Sequence, residues 1–259
     1  MRVIAVINQK GGVGKSTTAF AIGVGFSMKN FKTLFIDMDA QGSLSYTLGV
    51  DTANTAEANT LSVLAGETRA AEAIRTTIHG DVIASTPALA GADTLLTTVG
   101  KEFRLSEAIE PLKALYDIII VDTPPALGIL TVNALAACTD ALIPAQADIY
   151  SLQGIRQLYG TLQAVQKYCN PHLRIMGILL TRFSGRTIIG REIAELIEEM
   201  AEQLQTKLYT TRIRESTAIK EAQARRQSIY TYAPKSNAAE DYNALMDEIL
   251  AEEYADNGK

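Results

Sequence analysis

The chain has 259 residues, 47% hydrophobic and 20% charged, with a formal net charge of −5. This balance excludes a disordered chain, and only two cysteines, Cys138 and Cys169, exclude a disulfide scaffold and fit a reducing compartment. No run approaches the ~18–20 apolar residues of a membrane span, and the apolar start is too short for a signal peptide, so a cytoplasmic protein is expected.

In chain order, a buried strand is predicted over residues 3–7, then a glycine-rich turn and a helix over 15–29. A second strand follows at 33–36. Residues 51–100 are rich in Ala and Thr and are broken by Gly66, Gly80, Pro87 and Gly91. They predict only a short helix near 61–65 and surface loops. A helix over 105–115 precedes a strand at 118–121. Further strands are predicted at 141–143 and 175–180, and further helices at 151–168, 190–207, 217–224 and 238–253. Short apolar runs alternating with helical patterns imply βαβ units, hence an α/β fold with a doubly wound, mainly parallel sheet flanked by helices. No Pro/Gly/Ser-rich linker divides the chain, so one domain over 1–259 is expected, with no room before the first strand for a helix-turn-helix.

The first strand runs into Lys10-Gly11-Gly12-Val13-Gly14-Lys15-Ser16-Thr17-Thr18. Glycines let successive backbone N–H groups turn toward phosphate oxygens, and the next helix aims its positive end at the same anion. Lys15 is placed to reach the β/γ-phosphates and the Ser16 hydroxyl to take Mg²⁺. The ordinary phosphate-loop pattern fails, because Gln9 stands where its first Gly belongs.

Two acidic strand ends follow. Phe35-Ile36-Asp37-Met38-Asp39-Ala40-Gln41-Gly42 carries carboxylates at a strand's carboxyl end, where ligands bind in such sheets. Alternation sets Asp37 and Asp39 on the same side. From the residues alone, Asp37 also reads as a cap on the next helix. Ile118-Ile119-Ile120-Val121-Asp122-Thr123-Pro124-Pro125 reads as an apolar strand ending in a Mg²⁺-holding Asp122.

The Lys-Gly-Gly-x-Gly-Lys-Ser string resembles the deviant Walker A motif of the ParA and MinD ATPases and the nitrogenase iron protein. The resemblance implies a P-loop NTPase that binds ATP and Mg²⁺ through Gly11, Gly12, Val13, Gly14, Lys15, Ser16 and Thr17. It implies a homodimer in which Lys10 reaches the partner's phosphates and acts as an arginine finger does. It gives Asp39 the attacking water and Asp37 the metal region. The segment Gly177–Thr187 and the segment Ala233–Tyr242 resemble the ParA (Soj-type) partition proteins, where they flank the adenine. This suggests Thr181, Arg182 and Pro234 as base contacts, although Pro-Lys-Ser also reads as a loop and helix cap.

Residues 172–235 hold eleven Lys/Arg against seven Glu, a charge of +4, leaving −9 elsewhere. Alone, such a window reads as a solvated face. With the ParA resemblance it implies sequence-independent DNA binding, with Arg212, Arg214, Arg225 and Arg226 as the first candidates. The resemblance thus implies a partition ATPase, nucleoid-associated when ATP-bound and stimulated by a ParB-type partner. A MinD-like ATPase needs a basic amphipathic tail, but residues 238–259 hold seven acids and one Lys, so no membrane partner is expected. Iron–sulfur chemistry lacks its thiolates. A small-molecule ATP-dependent ligase on the same fold is the alternative from another class.

Overall fold

The computed structural model describes residues 1–53, 57–185 and 187–257; Arg186 of the basic window lies outside them. Seven strands form one sheet: β1 (Arg2–Val6), β2 (Thr33–Asp37), β3 (Ile74–Thr77), β4 (Gly80–Ile83), β5 (Ile118–Asp122), β6 (Asp140–Ala145) and β7 (Arg174–Leu180). Their order is β3-β4-β2-β5-β1-β6-β7, parallel throughout except for the antiparallel β3–β4 pair at one edge. The helices are α1 (Lys15–Met28), α2 (Ser43–Thr47), α3 (Thr60–Ala65), α4 (Ala92–Leu95), α5 (Arg104–Ile109), α6 (Ile129–Ala137), α7 (Ile149–Tyr168), α8 (Ile188–Gln203), α9 (Thr217–Ala224), α10 (Ile229–Tyr232) and α11 (Asn237–Asn257).

The sheet divides the apolar interior into two layers. Val3, Ala5, Leu34, Ile36, Ile119 and Val121 face one layer, closed by α3, α5, α6, α7 and α8. Ile4, Val6, Phe35, Ile118 and Ile120 face the other, closed by α1, α10 and α11. Burial on both faces explains why these strands are continuously apolar rather than alternating. Helix α1 lies close on β2: a Cβ at Gly23 would collide with the Phe35 ring. That glycine lets α1 sit low, which sets the height of the loop leading into it.

The expected architecture is present, with three departures. The stretch read as loops contains β3 and β4, joined by a tight turn, and β4 pairs directly with β2. The helix expected over 105–115 ends as α-helix at Ile109 and continues as a 3-10 turn, Glu110–Ala114, because Pro111 supplies no N–H for an α-helical bond. The short helices α2, α4, α6 and α10 have too few residues, or too uniformly apolar a composition, to show a helical period.

Candidate functional site

Strands β1, β5 and β2 end together: Val6 pairs with Asp122, and Asp122 with Asp37. The phosphate loop leaves β1 directly above this row. Gly12 (φ +76°) and Gly14 (φ +85°) are left-handed, and Gly14 opens α1. Glycine is the residue that takes this conformation without a Cβ penalty. The loop is pinned from several sides. Buried Asn8 accepts from the Lys10 N–H at 2.9 Å and donates to the Pro144 carbonyl at 2.7 Å. Gln146 donates to the Gly12 carbonyl at 3.2 Å, and the Thr181 hydroxyl to the Val13 carbonyl at 2.8 Å. Carbonyls are thus tied outward while the first turn of α1 presents its N–H groups to the cleft, an anion-binding arrangement.

Lys15 is buried and donates to the Lys10 carbonyl at 3.2 Å. Burial lowers its pKa, opposed by the carboxylates of Asp122 and Asp39. Lys10 turns away from Lys15. Its ammonium pairs with the Asp148 carboxylate and lies 3.4 Å from Gln146 Oε1. Asp148 also caps α7, accepting from the Tyr150 and Ser151 N–H groups at 3.0 Å each. Lys10 is therefore held within its own chain, beside the cleft.

The three aspartates differ in environment. Asp122 is completely buried, and among the described residues neither carboxylate oxygen has a hydrogen-bond partner of good geometry, although the Ser16 hydroxyl is close enough to stabilise its charge. Burial pushes its pKa well up and Asp37 adds to this, while Ser16 and Lys15 pull it down. An unpartnered buried carboxylate is costly, and a cation beside it would offset that cost. With the Ser16 hydroxyl adjacent, this donor set fits Mg²⁺, which takes one or two protein oxygens and completes its shell with phosphate and water. Among the described residues no cluster of three or more His, Cys, Asp or Glu is placed to hold a metal, so any ion here leans on its ligand.

Asp37, also buried, is committed to the fold. Its Oδ2 accepts from the Ser45 N–H (2.8 Å) and hydroxyl (2.7 Å), and its Oδ1 from the Asp39 N–H (3.1 Å). Burial raises its pKa to about 6 against these bonds. With both oxygens engaged it holds α2 and orients Asp39, so the capping reading accounts for it. Asp39 is part-exposed and lines the cleft; its Oδ1 accepts from the Gln41 N–H at 3.0 Å.

The cleft has a volume of about 920 Å³ and is lined by the phosphate loop, Asp39, α2, Thr52, Pro125, Arg182, Gln223 and Arg226. Arg182 (φ +48°) is exposed at its wall. Thr181 is buried beneath the loop and is spent on backbone carbonyls, which differs from the expected base contact. Pro234 is exposed between α10 and α11 and does not line the cleft. The four arginines expected to meet DNA also separate. Arg214 is clamped on Asp241, with Nη2 2.6 Å from Oδ1 and both Nε–oxygen distances at 3.0 Å. Arg226 lies over the Tyr46 ring at the cleft. Arg212 lies over Phe183 and Arg225 over Tyr232.

A parallel sheet, a glycine loop opening a helix and an acidic end on the neighbouring strand define a nucleotide-binding α/β protein of the P-loop class. The family described as "AAA domain" matches residues 1–175. The sporulation initiation inhibitor protein Soj of Bacillus subtilis (strain 168) is 39% identical over 96% of this chain and 98% of its own. The chromosome partitioning protein ParA of Myxococcus xanthus (strain DK1622) is 36% identical over 96% of this chain and 88% of its own. Among solved structures, cobyrinic acid a,c-diamide synthase from Mycobacterium smegmatis with bound ADP and magnesium superposes with a TM-score of 0.83. It is 30% identical, over 96% of this chain and 94% of that one. The chain belongs to the ParA/Soj family of partition ATPases.

Sequence reasoning missed Asn8, Gln146, Asp148, Gln223 and Tyr46. An Asp directly before a helical run is a cap signal, so Asp148 was findable. The others act through tertiary contacts with no local pattern.

Proposed function

We propose that the chain binds ATP with Mg²⁺ in the cleft and hydrolyses it slowly as part of a DNA partition cycle. The observation that carries this reading is the juxtaposition of the pinned phosphate loop with buried Lys15, cleft-facing Asp39 and unpartnered Asp122. The loop N–H groups and Lys15 bind the phosphates. Ser16 and Asp122 hold Mg²⁺, which when bound neutralises charge on the phosphate oxygens. Asp39 orients the attacking water.

On this reading two subunits close around the nucleotides. Lys10 leaves Asp148 for the partner's phosphates and supplies positive charge where it develops. The closed dimer doubles its basic face, and linked contacts multiply affinity for DNA of any sequence. The ATP form then resides on the nucleoid. Hydrolysis, accelerated by a ParB-type centromere-binding protein, resets it. No described helix is long and apolar enough to cross a membrane, and none is needed here.

The second reading is an ATP-dependent amide-forming enzyme, favoured by the similarity to the diamide synthase. Fluorescence anisotropy with a random-sequence duplex, at two salt concentrations, separates them. Salt-sensitive binding that requires ATP supports partition. ATP hydrolysis with no DNA binding in any nucleotide state moves the reading to the enzyme.

A further inference from the structure

Arg226 and Tyr46 meet across the mouth of the cleft. Tyr46 stands on α2, just beyond the loop that carries Asp39, and is 49% exposed. Arg226 follows α9 on the opposite side. Its guanidinium carbon lies 4.5 Å from the Tyr46 ring centroid, and both residues line the cleft with Gly12, Lys15 and Asp39.

The position of Arg226 is fixed by its backbone. Its N–H donates to the Gln223 carbonyl at 3.0 Å, and its own carbonyl lies 3.1 Å from His79 Nε2. The His79 ring sits edge-on to Phe20 of α1, 5.1 Å between centroids. Gln223 donates to the Thr17 hydroxyl at 2.9 Å, one residue beyond Ser16. The end of α9 is therefore tied to α1 directly through Thr17 and indirectly through His79, beside the phosphate loop. Arg226 adopts a left-handed φ of +54°, at a helix end where glycine is usual. A non-glycine held in that region is worth a functional question. No carboxylate pairs with Arg226 among the described residues, so its charge is available to an anion in the cleft.

We propose that Arg226 and Tyr46 form a clasp that retains a bound nucleoside triphosphate. The proposal rests on the ATP-binding reading above. The stacked pair bridges the two walls, so it parts when nucleotide enters or leaves. Closed, it sets a planar cation facing the polyphosphate and narrows the exit. A guanidinium both stacks and stays charged, which a lysine cannot reproduce. The clasp makes Arg226 a nucleotide-retention residue rather than a DNA contact.

The test is displacement of a fluorescent ATP analogue from the full chain with Mg²⁺, followed by stopped flow. Arg226→Ala and Tyr46→Ala each release the analogue about two- to fivefold faster, the effect of losing an exposed cation–π contact. The double variant is no faster than either single one. Tyr46→Phe keeps the ring and releases at the wild-type rate, and Arg226→Lys falls between. Circular dichroism melts check that each variant folds, and the two conservative variants carry the test should an alanine variant fail. Wild-type binding with unchanged release in both alanine variants overturns the clasp alone. So does Arg226→Ala changing DNA affinity without changing release. A wild-type chain that binds no analogue overturns the ATP-binding reading and the clasp with it.

Discussion

Asp37 and Asp122 occupy paired positions at the ends of two adjacent parallel strands, and both are completely buried. The two carboxylates solve their burial differently. Asp37 is surrounded by donors from Ser45 and Asp39. Asp122 has no such bonds of good geometry among the described residues, only the nearby Ser16 hydroxyl, and Asp37 helps push its pKa up. One aspartate is a structural anchor, and its neighbour is a charge left open for a cation.

That contrast predicts a trade between stability and function. In Mg²⁺-free buffer, Asp122→Asn relieves an unpaired buried charge. The melting temperature rises by ~3 °C, on the order of 1 kcal/mol for a chain of this size. The same variant loses the Mg²⁺-dependent gain in ATP affinity. Calorimetry with and without Mg²⁺ reads both. A lower melting temperature without Mg²⁺ would mean that Asp122 already has a compensating partner.

The pH dependence follows from the same pair. Asp37 is raised from 3.8 to about 6 in the fold. A raised carboxylate binds more protons folded than unfolded between those values, so the nucleotide-free fold gains stability as pH falls through about 6 toward 4. Asp122 shifts in the same direction. Urea unfolding of the apo chain shows a higher midpoint at about pH 5.5 than at about pH 7.5. A flat or falling midpoint would place the titration elsewhere.

Lys15 and Asp39 separate binding from turnover. On the ATP-binding reading, Lys15→Ala removes the buried ammonium that lines the cleft and abolishes ATP-dependent behaviour. Asp39→Ala removes no contact that holds the loop, since among the described residues its carboxylate accepts only from the Gln41 N–H. On the partition reading it keeps ATP binding and dimerisation and stops hydrolysis, leaving the chain persistently on DNA. A phosphate-release assay beside the anisotropy measurement checks this. Normal hydrolysis by Asp39→Ala removes the water-positioning role.

The strands with continuous apolar runs, residues 2–6, 33–37 and 118–122, were legible because burial on both faces leaves one composition. The phosphate loop was legible because its chemistry needs adjacent residues. Strands β3 and β4 were not. Ile74-Arg75-Thr76-Thr77 sits at an edge and is polar at three of its four positions, and Gly80 opens β4 against the Phe35 ring. Their pairing is decided by β2, which is distant in sequence. The surroundings of the arginines were not legible for a related reason. Charge counts locate a basic window, but only the fold shows Arg214 committed to Asp241 and Arg226 turned to the cleft.

Those arginines give a graded expectation for DNA. Arg225 is exposed beside Tyr232, and Arg225→Ala lowers the slope of log affinity against log salt by about 1. Arg214→Ala leaves that slope unchanged and lowers the melting temperature, because Asp241, 8% exposed, loses the guanidinium and keeps only the backbone N–H of residue 214. Salt titrations of the ATP form with a random duplex decide it. A reduced slope for Arg214→Ala would show that the Asp241 clamp opens on DNA.

Asp148 has two duties that substitutions can part. It caps α7 through two backbone N–H groups and holds Lys10. Asparagine keeps the cap and drops the ion pair; alanine drops both. Asp148→Ala therefore costs about 1 kcal/mol, or roughly 2–4 °C. Asp148→Asn stays within ~1 °C, because a part-exposed ion pair contributes little. Equal losses would place the stabilisation in the ion pair instead. The asparagine variant also frees Lys10 in the monomer. On the partition reading its ATP-dependent dimerisation, followed by light scattering, is at least as strong as wild type, since Lys10 no longer has to leave a partner in its own chain. Weaker dimerisation would mean that Asp148 guides Lys10 to the interface rather than competing for it.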